Sequence, residues 1–150
     1  MQIVAIERQH LPTCATLFAA VFCAAPWNES WTSESALVRL QRCLDTPGSF
    51  GLMAQNEAEL VAFALGYIEP WEATAHFYLK EMCVDVACQR KGIGKQLIAA
   101  LERELQAQNV ARIFLHTARE SIAQSFYEKC GFYVSPRMIQ MSKRLPSDSD

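Results

Sequence analysis

The stretch "CVDVACQRKGIGKQLIAALERELQ", residues 83–106, changes character twice within a few steps. An apolar run gives way to a basic turn punctuated by glycine, and the turn opens a helix whose Leu97, Ile98, Leu101 and Leu105 fall on one face. The N–H groups in the first turn of a helix have no intrahelical partner and carry partial positive charge, so a pyrophosphate finds hydrogen-bond donors there. Gly92 and Gly94 let such a ligand approach the backbone without a Cβ in the way, and Arg90, Lys91 and Lys95 add full charges. Cations on a turn are often no more than a solvated face. A strand before the turn and a helix after it are the setting a phosphate loop requires.

Upstream, the periodicity alternates between strand and helix. "IVAI" (3–6) is a short apolar run, and Cys14, Leu17, Phe18, Val21 and Phe22 give a first helix one apolar face. Pro26 ends it. Thr32 or Ser33, with Ser35 nearby, caps a second helix carrying Leu37, Leu40 and Leu44, which "TPGS" (46–49) closes. "FGLMA" (50–54) and "LVAFALGYI" (60–68) read as an antiparallel hairpin, and a loop containing Pro70 and Trp71 leads to a long strand, "HFYLKEMCV" (76–84). On that strand the polar-leaning series His76, Tyr78, Lys80 continues as apolar Met82 and Val84, a change of phase near Glu81 that predicts an extra residue in the ladder.

Downstream, "RIFLHT" (112–117) is a further strand and "SIAQSFYEKC" (121–130) a helix, with Gly131 where a left-handed cap residue is wanted. "FYV" and "RMIQMSKRL" read as two short closing strands, and the polar "PSDSD" as a disordered tail. The expected order is β-α-α-β-β-β-α-β-α-β-β, an α/β fold with a mixed, mostly antiparallel sheet flanked by helices. One domain is expected over residues 1–145, with a polar tail at 146–150.

At 150 residues, 51% hydrophobic and 20% charged, the chain has enough apolar surface for one sizeable core. A net charge of −2 argues against a general nucleic-acid binder, because nonspecific affinity for a polyanion needs many cations. No apolar run approaches the roughly 20 residues that span a bilayer, and the N-terminus lacks a secretory pattern, so a cytoplasmic location is expected by default. The six cysteines, at 14, 23, 43, 83, 88 and 130, include no CxxC pair. They read as buried thiols rather than a zinc site, and no metal is expected.

"QRKGIG" (89–94) and "FYEKCGF" (126–132) together resemble the two signatures of the GCN5-related N-acetyltransferases, the GNAT family. The likeness is strong over residues 77–133, and before residue 70 it is one of element order. It implies that the ligand is acetyl-coenzyme A, held at Gln89, Arg90, Lys91, Gly92, Ile93, Gly94 and Lys95. The backbone of Met82, Cys83 and Val84 would then bind the pantetheine arm as an added strand. Tyr127, the tyrosine of the second signature, would protonate the departing thiolate; a phenol of pKa about 10 and a thiol of about 8.5 are close enough for that transfer. The other reading of Tyr127 is packing.

An amine of pKa near 10 is mostly protonated at neutral pH, so its attack needs a proton acceptor. Glu81, in mid-strand beside the thioester segment, is the candidate base; otherwise it pairs with Lys80 or Arg112 on an exposed face. The oxyanion would be held by a backbone N–H near Cys83 or Val84. Relatives often carry Asn where this chain has Glu120, so that coenzyme contact is not carried over. Leu115 stands where enzymes acting on protein N-termini place an acidic base, which argues against that acceptor.

"PWNESW" (26–31) and "EPWE" (69–72) hold all three tryptophans together with Glu29, Glu69 and Glu72. In folds resembling this one both connections lie at the acceptor rim. Trp27, Trp31 and Trp71 with Glu29 would suit a small cationic amine, each aromatic contact contributing about 0.5–2 kcal/mol; the plainer reading is that they pin loops to the core. The expected reaction is acetyl transfer to a primary amine in a ternary complex, by a monomer or homodimer. The alternatives are a protein-lysine or N-terminal acetyltransferase and, in another class, a coenzyme-binding regulatory module without turnover.

Overall fold

The computed structural model describes residues 1–147. Contacts divide the chain into two compact units, Met1–His116 and Thr117–Asp150.

The first unit contains β1 (Gln2–Ala5), α1 (Leu11–Cys23), α2 (Ser33–Leu44), β2 (Ser49–Asn56), β3 (Glu59–Trp71), β4 (Thr74–Val84), α3 (Ile93–Ala107) and β5 (Val110–Phe114). The strands lie in sequence order across one sheet; β1 pairs antiparallel with β2 after the two helices, and β2, β3 and β4 pair antiparallel through short turns. β5 is parallel to β4, as it must be when a helix carries the chain back to the same end. One face of the sheet packs Met53, Phe63, Leu65 and Cys83 against Leu11, Cys14 and Phe18 of α1 and Ala36, Leu40 and Cys43 of α2. α3 lies against the sheet with Leu97, Ile98, Leu101 and Leu105 buried, as their spacing predicts. Each fully buried leucine or phenylalanine contributes about 1.5–3 kcal/mol relative to exposure.

Thr32 caps α2: its side chain accepts from the Ser35 N–H at 3.0 Å, and Ser35 Oγ accepts from the Thr32 N–H at 3.0 Å. The loop expected around Pro70 and Trp71 is instead strand. β3 runs through both residues, with Pro70 opposite Ala75 and Trp71 opposite Thr74. β2 ends opposite Tyr67, so the far end of β3 has only β4 as a partner and tolerates a proline without an N–H.

The predicted irregularity in β4 is present. Gly66 pairs with Leu79 and Leu65 with Glu81, which leaves Lys80 as the extra residue. Glu81 and Cys83 thereby turn to the face covered by α1 and α2, opposite Leu65 and Phe63, while Leu79 shares the other face with Gly66. Gly66 is needed at this point, since a Cβ there would lie 1.9 Å from the Tyr78 carbonyl oxygen.

The second unit contains α4 (Ile122–Lys129), capped by Ser121, whose Oγ accepts from the Gln124 N–H at 3.0 Å. Gly131, at φ +92°, closes the helix, with Gly131 N–H donating to Glu128 O and Phe132 N–H to Tyr127 O, both at 3.0 Å. The two strands expected at 132–134 and 137–145 are not formed. A strand needs a ladder, the described residues of this unit include no strand for either segment to pair with, and Pro136 lacks an N–H between them. Val134, Met138, Ile139, Met141 and Leu145 are exposed. Most of the predicted polar tail, residues 148–150, lies outside the described residues.

Candidate functional site

The β4–β5 ladder runs only from Ala75 and Val110 to Tyr78 and Phe114. From Leu79 to Val84, β4 is bonded to β3 on one edge and has no strand on the other among the described residues. Asp85 N–H donates to Val61 O at 2.8 Å, and antiparallel alternation carries that pairing back to Cys83 with Phe63 and Glu81 with Leu65. The N–H and C=O groups of Met82 and Val84 are therefore the ones turned to the open edge. Of the two donors considered for an oxyanion, Val84 N–H faces that edge and Cys83 N–H faces β3. The Val84 carbonyl accepts from Gln89 Nε2 at 3.0 Å, which ties the signature loop to the strand end.

The loop between β4 and α3 is ordered by its own side chains. Asp85 accepts from the Ala87 N–H at 2.8 Å, starting a single 3₁₀ turn over Val86–Cys88, and Lys91 Nζ donates to Ala87 O at 2.9 Å. Arg90 (φ +64°) and Gly92 (φ +80°) both adopt the left-handed conformation. Gly92 is the N-cap of α3 and has no side chain to cap it, so the first-turn N–H groups of Ile93, Gly94 and Lys95 remain available as donors. Around a Cβ built on Gly92 only Gln96 Nε2 comes within 4 Å, at 3.9 Å. The glycine is thus required by its conformation and leaves open space in front of the helix end. Arg90 and Lys95 are exposed beside it. An open strand edge, an uncapped helix end and flanking cations fit an extended ligand with a pyrophosphate at one end.

On the α1/α2 side of the same strand, Glu81 is 5% exposed, the one buried charged residue among those described. Its Oε1 accepts from Arg39 Nε of α2, and neither Lys80 nor Arg112 is its partner. Burial raises the Glu81 carboxyl above its usual value, with the Arg39 guanidinium pulling the other way. Arg39 also lies over the Trp31 ring, its Cζ 5.4 Å from the centroid. Trp31 Nε1 donates to Glu29 Oε2 at 3.3 Å, and Glu29 is close enough to raise the Glu81 carboxyl further.

The first two tryptophans belong to one aromatic group built on α1: Phe18 meets Trp31 at 5.1 Å and Phe22 meets Trp27 at 5.5 Å. Both are partly buried, so they pin the α1–α2 connection and still present a face to solvent. Trp71 joins neither of them. It stacks on His76 at 4.7 Å near the tip of the β3–β4 hairpin. His116 is exposed, with Nδ1 3.1 Å from the Tyr78 hydroxyl.

Tyr127 belongs to the second unit, on α4, with its ring edge-on to Phe126 at 5.1 Å and to Phe132 at 5.4 Å. All six cysteines are free, and Cys14, Cys43 and Cys83 are buried. Burial pushes the Cys83 thiol well above its usual value, which suits a core residue and not a nucleophile. Among the described residues no three His, Cys, Asp or Glu side chains converge on one point, and no helix is long and apolar enough to cross a membrane.

The five-stranded sheet, the interrupted β4–β5 ladder and the glycine entry to α3 define an α/β fold of the acetyltransferase type. The sequence matches the family model described as "Acetyltransferase (GNAT) family" over residues 15–132, and the chain belongs to that family. A search of the curated proteins finds no match.

Among solved structures, the chain resembles an aminoglycoside acetyltransferase, meta-AAC0020, from an uncultured soil metagenomic sample, in complex with sisomicin. The TM-score is 0.75 at 22% identity, over 97% of this chain and 96% of that one. It also resembles the aminoglycoside N-acetyltransferase AAC(6')-Iy in complex with CoA, with TM-score 0.74 at 21% identity over 96% and 95% of the two chains. A ribosomal-protein-alanine N-acetyltransferase from Brucella melitensis biovar Abortus 2308 superposes equally well, with TM-score 0.76 at 18% identity over 97% and 100%. At these identities the likeness speaks for the fold.

Proposed function

We propose that the protein transfers an acetyl group from acetyl-coenzyme A to a primary amine of a small cationic molecule, by direct attack in a ternary complex. The observation that carries the coenzyme half is the open edge of β4 from Leu79 to Val84, running into the uncapped start of α3. The thioester supplies an activated acyl group with a good leaving group. Met82 and Val84 offer backbone donors and acceptors to an extended arm, and Gly92 to Lys95 offer N–H groups to phosphates. Val84 N–H, turned to that edge, would donate to the carbonyl oxygen as charge develops on it.

The acceptor half rests on Glu81, Glu29 and Trp31 around one cation. A buried carboxylate draws a positive charge toward the β4 edge, and in its ionised form it takes the proton that the amine must lose. Trp27→Ala and Glu29→Gln are each expected to raise KM for the best amine several-fold while leaving coenzyme affinity unchanged, in line with about 0.5–2 kcal/mol for an aromatic or ionic contact to a cation. Steady-state kinetics beside coenzyme calorimetry would check this. Unchanged KM in both folded variants would move the acceptor site elsewhere.

Glu81 also sets a pH dependence. Its folded-state carboxyl lies above the ordinary value, so kcat/KM is expected to rise with pH as Glu81 ionises above the usual carboxylate range. The same upward shift means that Glu81 contributes stability while protonated, which is lost as pH rises from its unfolded value through its folded one. Glu81→Gln should remove the kinetic limb, and a pH–rate profile identical to that of the parent protein would exclude Glu81 as the base. The reaction itself is tested by free-thiol release from acetyl-coenzyme A with a panel of polyamines, aminoglycosides, lysine peptides and neutral amines. Faster release with lysine peptides would favour a protein acceptor, and no release with any amine would favour a binding module without turnover.

A further inference from the structure

The Arg39 guanidinium sits where an organic cation would be bound. It is hydrogen-bonded to Glu81, lies over the Trp31 ring at 5.4 Å, and the indole N–H of that ring is held by Glu29 at 3.3 Å. A carboxylate below, an aromatic face beside and a second carboxylate at the rim are the parts of a recognition site for guanidinium or alkylammonium groups. The two ends of the ion pair differ in exposure: the Arg39 side chain is 40% exposed and that of Glu81 is 6%. Arg39 therefore stands between the Glu81 carboxylate and the solvent beside α2. An ionised carboxylate left unpaired in such a place is costly, so whatever displaces Arg39 has to bring a positive charge.

We propose that Glu81 and Trp31, with Glu29 at the rim, form an organic-cation site that Arg39 fills in the resting protein, and that an acceptor's ammonium or guanidinium displaces Arg39 to reach Glu81. This rests on the cationic-acceptor reading above and adds an internal competitor to it. The competition selects acceptors. A neutral group cannot replace the charge that Arg39 withdraws, whereas the acceptor's own ammonium compensates Glu81 on arrival and then gives its proton to it. It also lowers apparent affinity in proportion to the time Arg39 spends in place. If the site is open a tenth of the time, removing the Arg39 side chain raises cation affinity about tenfold.

Binding of the guanidinium ion itself, at millimolar concentrations far below denaturing ones, tests the proposal without turnover. Arg39→Ala and the longer, neutral Arg39→Gln, each checked for folding by circular dichroism, are expected to show a saturable rise in Tm and a saturable change in tryptophan fluorescence. A ligand that binds only the folded state stabilises it, whereas guanidinium otherwise destabilises proteins. The parent protein, with the site already filled, should show both responses only at higher guanidinium, about tenfold higher at the occupancy above. Adding Glu81→Gln to either variant should abolish both. No saturable response in either folded variant, or one that survives Glu81→Gln, would overturn the proposal. If guanidinium binds as expected but the amine panel releases no thiol, it is the acetyl-transfer reading that fails and the cation site that stands.

Discussion

Gly92→Val protein is expected to fold and to bind acetyl-coenzyme A at least about a hundredfold more weakly. Gly92 has φ +80°, a conformation that costs an L-residue about 1–2 kcal/mol and a β-branched one more, yet a Cβ there meets only Gln96 Nε2 at 3.9 Å. The packed core is not involved, so Tm should fall by a few degrees only, the shift about 1–2 kcal/mol produces in a chain of this size. Binding suffers more. The valine either distorts the turn that aims the Ile93, Gly94 and Lys95 N–H groups outward, or it keeps the turn and places its methyl groups in the space before the helix end, where a phosphate would lie. Calorimetry decides the matter: undiminished affinity in folded Gly92→Val protein would remove the loop from the coenzyme site. Gly92→Ala, which adds the strain and no branch, should fall between the two.

β4 and the loop after it are legible because their cues are local. Strand phase is a local property, so the switch from His76, Tyr78 and Lys80 to apolar Met82 and Val84 announces an extra residue, and the register places it at Lys80. Helix ends are local as well, which is why Thr32, Gly92 and Gly131 stand where their residue types predict. The errors arise where the outcome depends on a neighbour. Pro70 reads as a strand breaker until β2 is seen to stop opposite Tyr67 and leave that end of β3 as an edge. Conversely, the alternating residues of 137–145 have strand propensity, but a strand also needs a partner, and the described residues of the second unit supply none.

The candidate site divides along the same line. Glu81 could be picked out by its place on a strand beside the thioester segment, but whether it faced solvent or the core depended on the Lys80 bulge and on what α2 laid over it. Nothing in the sequence singles out Arg39. It lies 42 residues from Glu81, on a helix that also carries Arg42, and no spacing rule selects one over the other. Trp31 and Trp71 look alike in sequence, each two residues after a glutamate. Packing separates them, one against Phe18 and beneath Arg39, the other stacked on His76.

Tyr127→Phe is the substitution expected to cost most in turnover, lowering kcat by about 10²-fold or more, the usual contribution of a positioned general acid. Phenylalanine keeps the ring and its two edge-on contacts, so the substitution tests the hydroxyl and whatever it bonds to. The edge-on contacts to Phe126 and Phe132 involve carbon atoms, and the hydrogen bond that closes α4 runs from Phe132 N–H to the Tyr127 carbonyl, which the substitution leaves in place. Only the hydroxyl is lost. If it protonates the departing thiolate, the loss falls on the transition state, so kcat and kcat/KM drop together while coenzyme affinity holds. If Tyr127 only packs, kcat stays within about twofold. Slow product release would hide the chemical step from steady-state rates, so the comparison is best made in a single turnover, with thiol release followed after mixing a saturating amine with preformed enzyme–coenzyme complex. An unchanged single-turnover rate would assign Tyr127 to the packing of α4 and require another acid, such as solvent at the open edge of β4.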